Sequence, residues 1–297
     1  MRLGIVDLGT NSLRFDIYKI DSSKNKKLLY RSKEMIRLGE DLFVTKKISM
    51  AAERRVLKTL SKVVKIAEAH RTDKMCCYGT SPFREAVNAE RLLKKIQKKT
   101  GLNIEVISGQ HEADLIAKGI LKSVRSLKPI LLIDIGGGST EFTLAKNGLS
   151  KFSISIPFGS LKLQDIYLKN HPPSQEAIEK MRRAIRKTLE EKLGFYRQEK
   201  IPTAIGSAGT IKALYKVTHS RHKKIDIKNL ENFLKKIKNK KLPELKRLLK
   251  TEGRRGDIIL AGTILLIECL HFFNLKSISV TKWGLRDGIL REQIDGA

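Results

Sequence analysis

The stretch ILLIDIGGGSTEFTLA, residues 130–145, decides how the rest of the chain is read. An apolar run from Ile130 to Ile135 carries one acid, Asp134, near its end. Gly136, Gly137 and Gly138 follow, then Ser139, Thr140 and Glu141, before a half-apolar alternation resumes through Phe142 and Leu144. The pattern predicts a strand, a tight turn and a second strand. Three consecutive glycines strip the turn of side chains, so backbone N–H groups can come close to an anion. An acid on one side of such a loop can hold a magnesium ion, directly or through water, and a second carboxylate just beyond it can orient water. Taken alone, the stretch fits a plain glycine-rich hairpin equally well.

It is not alone. LGIVDLGTNSLRFDIYKI, residues 3–20, has the same skeleton: Asp7, Gly9, Asn11 and Ser12 match Asp134, Gly136, Gly138 and Ser139 at a constant offset of 127 positions. A repeat at that separation predicts two structurally related halves, because the units of a solenoid are much shorter. Two such hairpins facing each other would form a cleft lined with N–H groups and carboxylates, suited to a phosphate chain with a divalent cation. The copies differ seven positions past the Asp, where the first carries Arg14 and the second Glu141. One hairpin offers a cationic clamp, the other a base.

The chain has 297 residues, enough for two domains with proper cores. A net charge of +29 favours anionic partners and salt-sensitive binding. Of the three cysteines, Cys76 and Cys77 are adjacent and Cys269 is distant, which fits neither zinc spacing nor a disulfide framework and points to reduced thiols. The first residues enter a strand at once with no signal-peptide pattern, so a cytoplasmic location is expected.

Further elements follow in order. Val56, Leu57, Leu60, Val63, Val64 and Ala67 recur at helical spacing. A strand over 75–79 runs into a helix start at Thr80, Ser81 and Pro82, with Arg84 placed to meet an anion or to lie on the surface. A strand over 103–107 leads to Ser108, a predicted cap, and to Glu112, read equally as a residue that complements the helix dipole. Residues 121–129 look like the crossing into the second half. A helix opens near 175 with Ile178, Met181, Ile185, Leu189 and Leu193 on one face. GSAGTIKALY, residues 206–215, is a glycine-bearing turn into another helix, and residues 221–250 are crowded with lysine. That crowding reads as a solvated helical surface or as an electrostatic landing strip for a long polyanion. The apolar run over 258–273 is short for a membrane span and reads as a core helix. His219 and His222 stand at helical spacing without partner ligands.

Six segments together resemble the exopolyphosphatase and guanosine-pentaphosphate phosphohydrolase family of the actin-like, sugar-kinase and heat-shock-chaperone superfamily. They are DLGTNSLR (7–14), TSPFREA (80–86), ISGQHEA (107–113), DIGGGSTE (134–141), GSAGTIKA (206–213) and GLRDGIL (284–290). The resemblance covers essentially the whole chain. It implies an α/β fold of two duplicated ribonuclease H-like, actin-like domains with a cleft between them. The expected domains are residues 1–124 and 125–285, with a C-terminal helix over 286–297 packing back on the first. It implies Glu112 and Glu141 as catalytic carboxylates, Asp7 and Asp134 near the metal, and Asn11, Ser12, Arg14, Arg84, Gly137, Gly138 and Ser139 on phosphate. Lys162 departs from the Arg that many relatives carry there, and the helical C-terminal domains of longer relatives do not follow the terminal motif.

The implied activity is hydrolysis of terminal phosphate from inorganic polyphosphate with Mg2+ or another divalent cation. Guanosine pentaphosphate is the alternative substrate, a kinase of the same fold is a third reading, and a non-catalytic polyanion or nucleic-acid module is a fourth. Glu112 and Glu141 argue against the last, since anion binding alone gains nothing from carboxylates. A homodimer is compatible with this reading; a membrane or nucleic-acid partner is not expected.

Overall fold

The computed structural model describes residues 1–124 and 126–296. The chain divides into two compact units, Met1–Gly119 with Leu285–Ala297, and Ile120–Gly284.

The first unit opens with β1 (Arg2–Leu8), β2 (Ser12–Ile20) and β3 (Lys26–Met35). A one-turn helix α1 (Leu42–Thr45) and the long α2 (Met50–Ala69) follow, then β4 (Lys74–Gly79), α3 (Ser81–Glu85), α4 (Ala89–Thr100), β5 (Glu105–Val106) and α5 (Gly109–Leu121). Its sheet runs β3-β2-β1-β4-β5, with β1, β4 and β5 parallel. Ser49 caps α2 by accepting from the Ala52 amide, and Val56, Leu57, Leu60 and Val63 are buried as their spacing predicts.

One local expectation needs correcting. The predicted strand over 103–107 is shorter than expected, Glu105–Val106, although the Ile107 amide still donates to the Gly79 carbonyl at 3.1 Å. The helix that starts at Ser81 stops after five residues because Ala86 turns extended. The Asn88 side chain is committed to Ile48, accepting from its N–H and donating to its C=O, both at 2.9 Å.

The second unit contains β6 (Ile130–Ile135), β7 (Thr140–Lys146), β8 (Leu149–Ile156), α6 (Ser160–Tyr167), α7 (Gln175–Leu193), β9 (Thr203–Ser207) and α8 (Ala208–Val217). It continues with β10 (Lys224–Asp226), α9 (Ile227–Ile237), α10 (Leu242–Leu248), α11 (Ile259–Phe272) and β11 (Ser277–Val280). Read from its other end, the sheet order β8-β7-β6-β9-β11 repeats that of the first unit, and β10 adds an antiparallel edge. The sequence repeat is therefore a repeat of sheet topology.

Almost every residue of α11 is buried because it packs against α6, α7, α8 and α9. Its one buried acid, Glu268, is held by Arg182 and by Arg186, whose Nε donates at 2.6 Å. No described helix is long and apolar enough to cross a membrane. The five apolar residues named for α7 are all buried.

The last helix, α12 (Leu285–Asp295), belongs to the first unit. Gly288 permits its close approach to α5, since a Cβ there would lie 1.8 Å from the Leu115 carbonyl oxygen. Arg286 on α12 binds Asp16 of β2. Asp16 is fully buried, and it also accepts from Arg31 at 3.0 and 2.7 Å and from the Tyr18 hydroxyl at 3.1 Å.

Candidate functional site

The two glycine turns close in the same way. The Gly9 amide donates to the Ser12 carbonyl at 3.1 Å, and the Gly136 amide donates to the Ser139 carbonyl at 3.0 Å. The ladders behind them match too: Asp7 pairs with Arg14 across β1–β2, and Asp134 pairs with Glu141 across β6–β7. Each Asp sits next to the carboxyl end of its strand, the edge at which open α/β sheets place their ligands.

In the second unit the turn is fixed from behind. The Gly136 carbonyl accepts from the Ser160 amide, and the Gly137 carbonyl accepts from the Leu161 and Lys162 amides, all at 2.9–3.0 Å. Gly159 makes this possible, because a Cβ there would stand 2.6 Å from the Gly136 oxygen and 2.8 Å from the Gly137 oxygen. Thr140 Oγ1 adds a 2.8 Å bond to the Phe158 carbonyl. With the Gly136 and Gly137 carbonyls committed, the turn keeps the N–H groups of Gly137, Gly138 and Ser139 without a protein acceptor among the described residues. Gly138 and Ser139 are buried. Buried amides in this condition are suited to phosphate oxygens.

Glu141 and Asp134 are buried and lie on one face of the sheet. Ser155 Oγ donates to Glu141 Oε1 at 2.8 Å, and Ser207 Oγ donates to Asp134 Oδ2. A Cβ added at Gly284 would lie 4.0 Å from Asp134 Oδ2. Directly opposed carboxylates repel, so a cation at Asp134 would relieve the pair. Among the described residues no group of three or more metal-ligating side chains occurs. The carboxylate oxygens of Asp134 and Glu141 suit a hard cation such as magnesium, which rests on one or two carboxylates and takes its other ligands from water and phosphate.

In the first unit the ladder partners have opposite charge, with Arg14 Nη1 3.8 Å from Asp7 Oδ2. Burial nevertheless pushes the Asp7 carboxyl above its ordinary range, with Arg14 and Arg286 opposing the shift. Asn11 stands in the turn and Ser12 opens β2. The Asn11 carbonyl accepts from the Ile36 and Arg37 amides, and the Thr10 carbonyl from the Gly39 amide, so this turn too is pinned from behind.

Arg84 and Glu112 come together, with the guanidinium donating to Glu112 Oε2 and to the Ile107 carbonyl, each at 2.9 Å. Glu112 is buried in the first turn of α5, where the Ser108 hydroxyl accepts from the His111 amide. His111 itself lies 3.6 Å from Glu292.

The residues missed from sequence are Ser155, Gly159 and Ser207. Position 207 was legible in principle, since it ends a strand that pairs with β6, but a lone G-x-x-G turn gave no reason to single it out. Ser155 and Gly159 had no local signal.

A family profile matches residues 17–296, that of the Ppx/GppA phosphatase family. The chain belongs to this family. The match begins beyond the first turn, so Asp7, Asn11, Ser12 and Arg14 lie outside it. The chain is 33% identical over 304 residues to a bifunctional 3-dehydroquinate synthase/phosphatase of Fusobacterium nucleatum, covering 93% of this chain but 44% of that protein. It is 22% identical over 305 residues to exopolyphosphatase 1 of Mycobacterium tuberculosis, covering 99% of this chain and 89% of that one. The crystal structure of an exopolyphosphatase from Cytophaga hutchinsonii superposes with a TM-score of 0.90 at 25% identity, over 100% of this chain and 99% of that one. The duplicated α/β fold expected from the sequence is thus the fold of the Ppx/GppA family.

Proposed function

We propose that this chain is a cytoplasmic exopolyphosphatase that hydrolyses the terminal phosphate of inorganic polyphosphate with magnesium. The observation that carries the reading is the buried carboxylate pair Asp134–Glu141, standing beside the turn whose amides at 137–139 lack protein acceptors among the described residues. The amides suit a phosphoryl group, and a module that only bound anions would gain nothing from acids there. The names of the mycobacterial and Cytophaga relatives agree with this substrate class.

Asp134 and Asp7 are the residues that would hold magnesium. Bound there, the ion would neutralise charge on phosphate oxygens. Glu141 takes the proton of the attacking water, whose oxygen bonds to the terminal phosphorus as the bond to the bridging oxygen breaks. Glu112 is the second carboxylate of the reaction. Orthophosphate leaves, and the shortened chain keeps the oxyanion. Gly137, Gly138 and Ser139 bind the transferring phosphoryl through backbone amides, and Asn11, Ser12, Arg14 and Arg84 bind phosphate oxygens. Phosphoryl transfer of this kind depends chiefly on positioning and electrostatics.

The test is orthophosphate release from polyphosphates of graded length and from guanosine pentaphosphate, with and without magnesium. Magnesium-dependent release from polyphosphate, faster than from the nucleotide, supports the reading. Preference for guanosine pentaphosphate assigns the other substrate to the same residues. Release from neither substrate overturns the proposal.

A further inference from the structure

The stretch from 221 to 250 holds twelve lysines and arginines against three acids. The structure shows where those acids go. Asp226 lies 3.8 Å from Lys224, Glu231 lies 3.2 Å from His271, and Glu244 Oε2 accepts from the Lys241 backbone amide at 2.8 Å. None forms an ion pair with the ammonium groups of α9 or of the turn after it. Among the described residues, Lys228, Lys235, Lys236, Lys240, Lys241 and Lys246 have no acid within ion-pair distance.

These lysines are held on an ordered surface. Leu230, Phe233, Leu234 and Ile237 bury the inner face of α9. Lys228 and Lys235, seven residues apart, lie on its outer face, with Lys236 beside them. From Lys228 to Lys236 the helix advances roughly 12 Å, and Lys240 and Lys241 continue the row into the turn before α10. Unrelieved like charge disfavours the compact state, so this row works against folding and calls for an anionic partner.

The residue types select among polyanions. The ridge is almost all lysine, a point charge with no planar fork. The sole Phe, Tyr or Trp in the stretch, Phe233, is buried in the core, and one exposed imidazole, His222, precedes the ridge. Single-stranded nucleic acid is gripped by successive aromatic platforms on which bases stack, and the stretch exposes no Phe, Tyr or Trp ring. The surface suits a flexible chain of repeated phosphates without bases.

We propose that the outer face of α9 and the α9–α10 turn form a docking ridge for long inorganic polyphosphate, a tether apart from the turn at 136–139 that favours long chains over short ones. The inference rests on the exopolyphosphatase reading for its ligand, and its test separates the two.

The ridge variant carries Lys228→Gln, Lys235→Gln, Lys236→Gln and Lys241→Gln. A charge-matched control carries Lys58→Gln, Lys62→Gln, Lys65→Gln and Lys98→Gln, four exposed lysines of the first unit. Binding of end-labelled long polyphosphate is followed by fluorescence anisotropy across a salt series, and phosphate release is measured on tripolyphosphate and on long chains. The ridge variant is expected to bind long chains more weakly and to lose about one unit of salt slope for each phosphate-contacting lysine removed. Its turnover of tripolyphosphate should match that of the parent chain, and the control should match the parent in both assays. Unchanged affinity and slope in the ridge variant overturn the proposal, as does an equal loss in the control, which would reduce the effect to net charge. Tighter binding of single-stranded RNA of equal charge also overturns it. If the parent chain hydrolyses neither length, the functional reading falls, while the binding comparison still decides the ridge.

Discussion

Glu141 pairs directly with Asp134 across the β6–β7 ladder, so two buried carboxylates leave neighbouring strands on the same face. At the matching position of the first half the pair is Asp7 with Arg14, of opposite charge. The like-charge pair is poor for stability and therefore points to chemistry. Glu141→Gln keeps an oxygen that can accept from Ser155 and removes the repulsion. The variant should melt no lower than the parent chain while phosphate release falls by about 10²–10⁴-fold, the range of general-base action. Near-normal turnover would remove Glu141 from the role of base.

Asp7 gives a pH-dependent prediction. Burial raises its carboxyl above the ordinary value of 3.8, so the folded state favours the protonated form. The stability this group contributes is full below that value and is lost as the pH rises through the folded pKa. Asp7→Asn stays neutral throughout. It should raise Tm relative to the parent at about pH 7, by about 2–4 °C per kcal/mol relieved, and the gain should vanish at acid pH. Thermal melts of both proteins across pH check this, and a lower Tm for the variant near neutrality would contradict it.

Asp16 anchors the terminal helix through Arg286 and is also the acceptor for Arg31 and Tyr18. Asp16→Ala would leave two guanidinium groups without their shared acceptor. Removing one partner of a buried ion pair costs about 3–5 kcal/mol, and a urea titration should show a loss of that size. A loss under about 1 kcal/mol, the range of a surface pair, would mean that the cluster does not hold α12.

Much of this was legible in the sequence because hydrophobic spacing is a local signal. The apolar face of α7 from Ile178 to Leu193 and the continuously apolar α11 both follow from burial alone. The break between α3 and α4 was not legible, since Asn88 is committed to Ile48 and the Val87 amide to the Lys46 carbonyl, each about forty residues away. Glu268 interrupts an apolar run without penalty only because α7 brings two arginines to it. In the candidate site the repeated turns and their acids could be read by aligning the chain with itself. Ser155 could not, because its role depends on which residue of β8 faces Glu141. The pairing of Arg84 with Glu112 likewise depends on how α3 and α5 leave adjacent strands.

Arg84 donates to Glu112 and to the Ile107 carbonyl, leaving other guanidinium N–H groups to meet a phosphate. A charge-assisted hydrogen bond contributes about 1.5–3 kcal/mol. Arg84→Ala should therefore raise the apparent KM by about 10- to 100-fold, with a smaller change in kcat. Arg84→Lys should recover part of the loss, because it restores charge without the planar fork. An unchanged KM on short and long polyphosphate alike would take Arg84 out of the phosphate-binding group.

Gly159 is the residue on which the glycine turn leans. Its φ of −136° is open to any residue, so backbone strain is not what keeps it glycine. The constraint is contact: a Cβ would meet the Gly136 oxygen at 2.6 Å and the Gly137 carbonyl carbon at 2.6 Å, both backbone atoms that cannot swing aside. Gly159→Ala must push the turn away from the N-terminus of α6 and break the amide bonds that hold its carbonyls. Overpacking of this kind costs about 1–3 kcal/mol, and a displacement of about 1 Å in a positioning element can lower turnover by about 10²-fold. The variant should fold with a reduced Tm and lose phosphate release far out of proportion to that reduction. Gly148→Ala, in a turn with no heavy atom within 4 Å of the added Cβ but with φ at +74°, is the comparison. It should lower Tm through backbone strain alone and leave phosphate release intact. Equal losses of activity in the two variants would show that the close approach at Gly159 is irrelevant to the reaction.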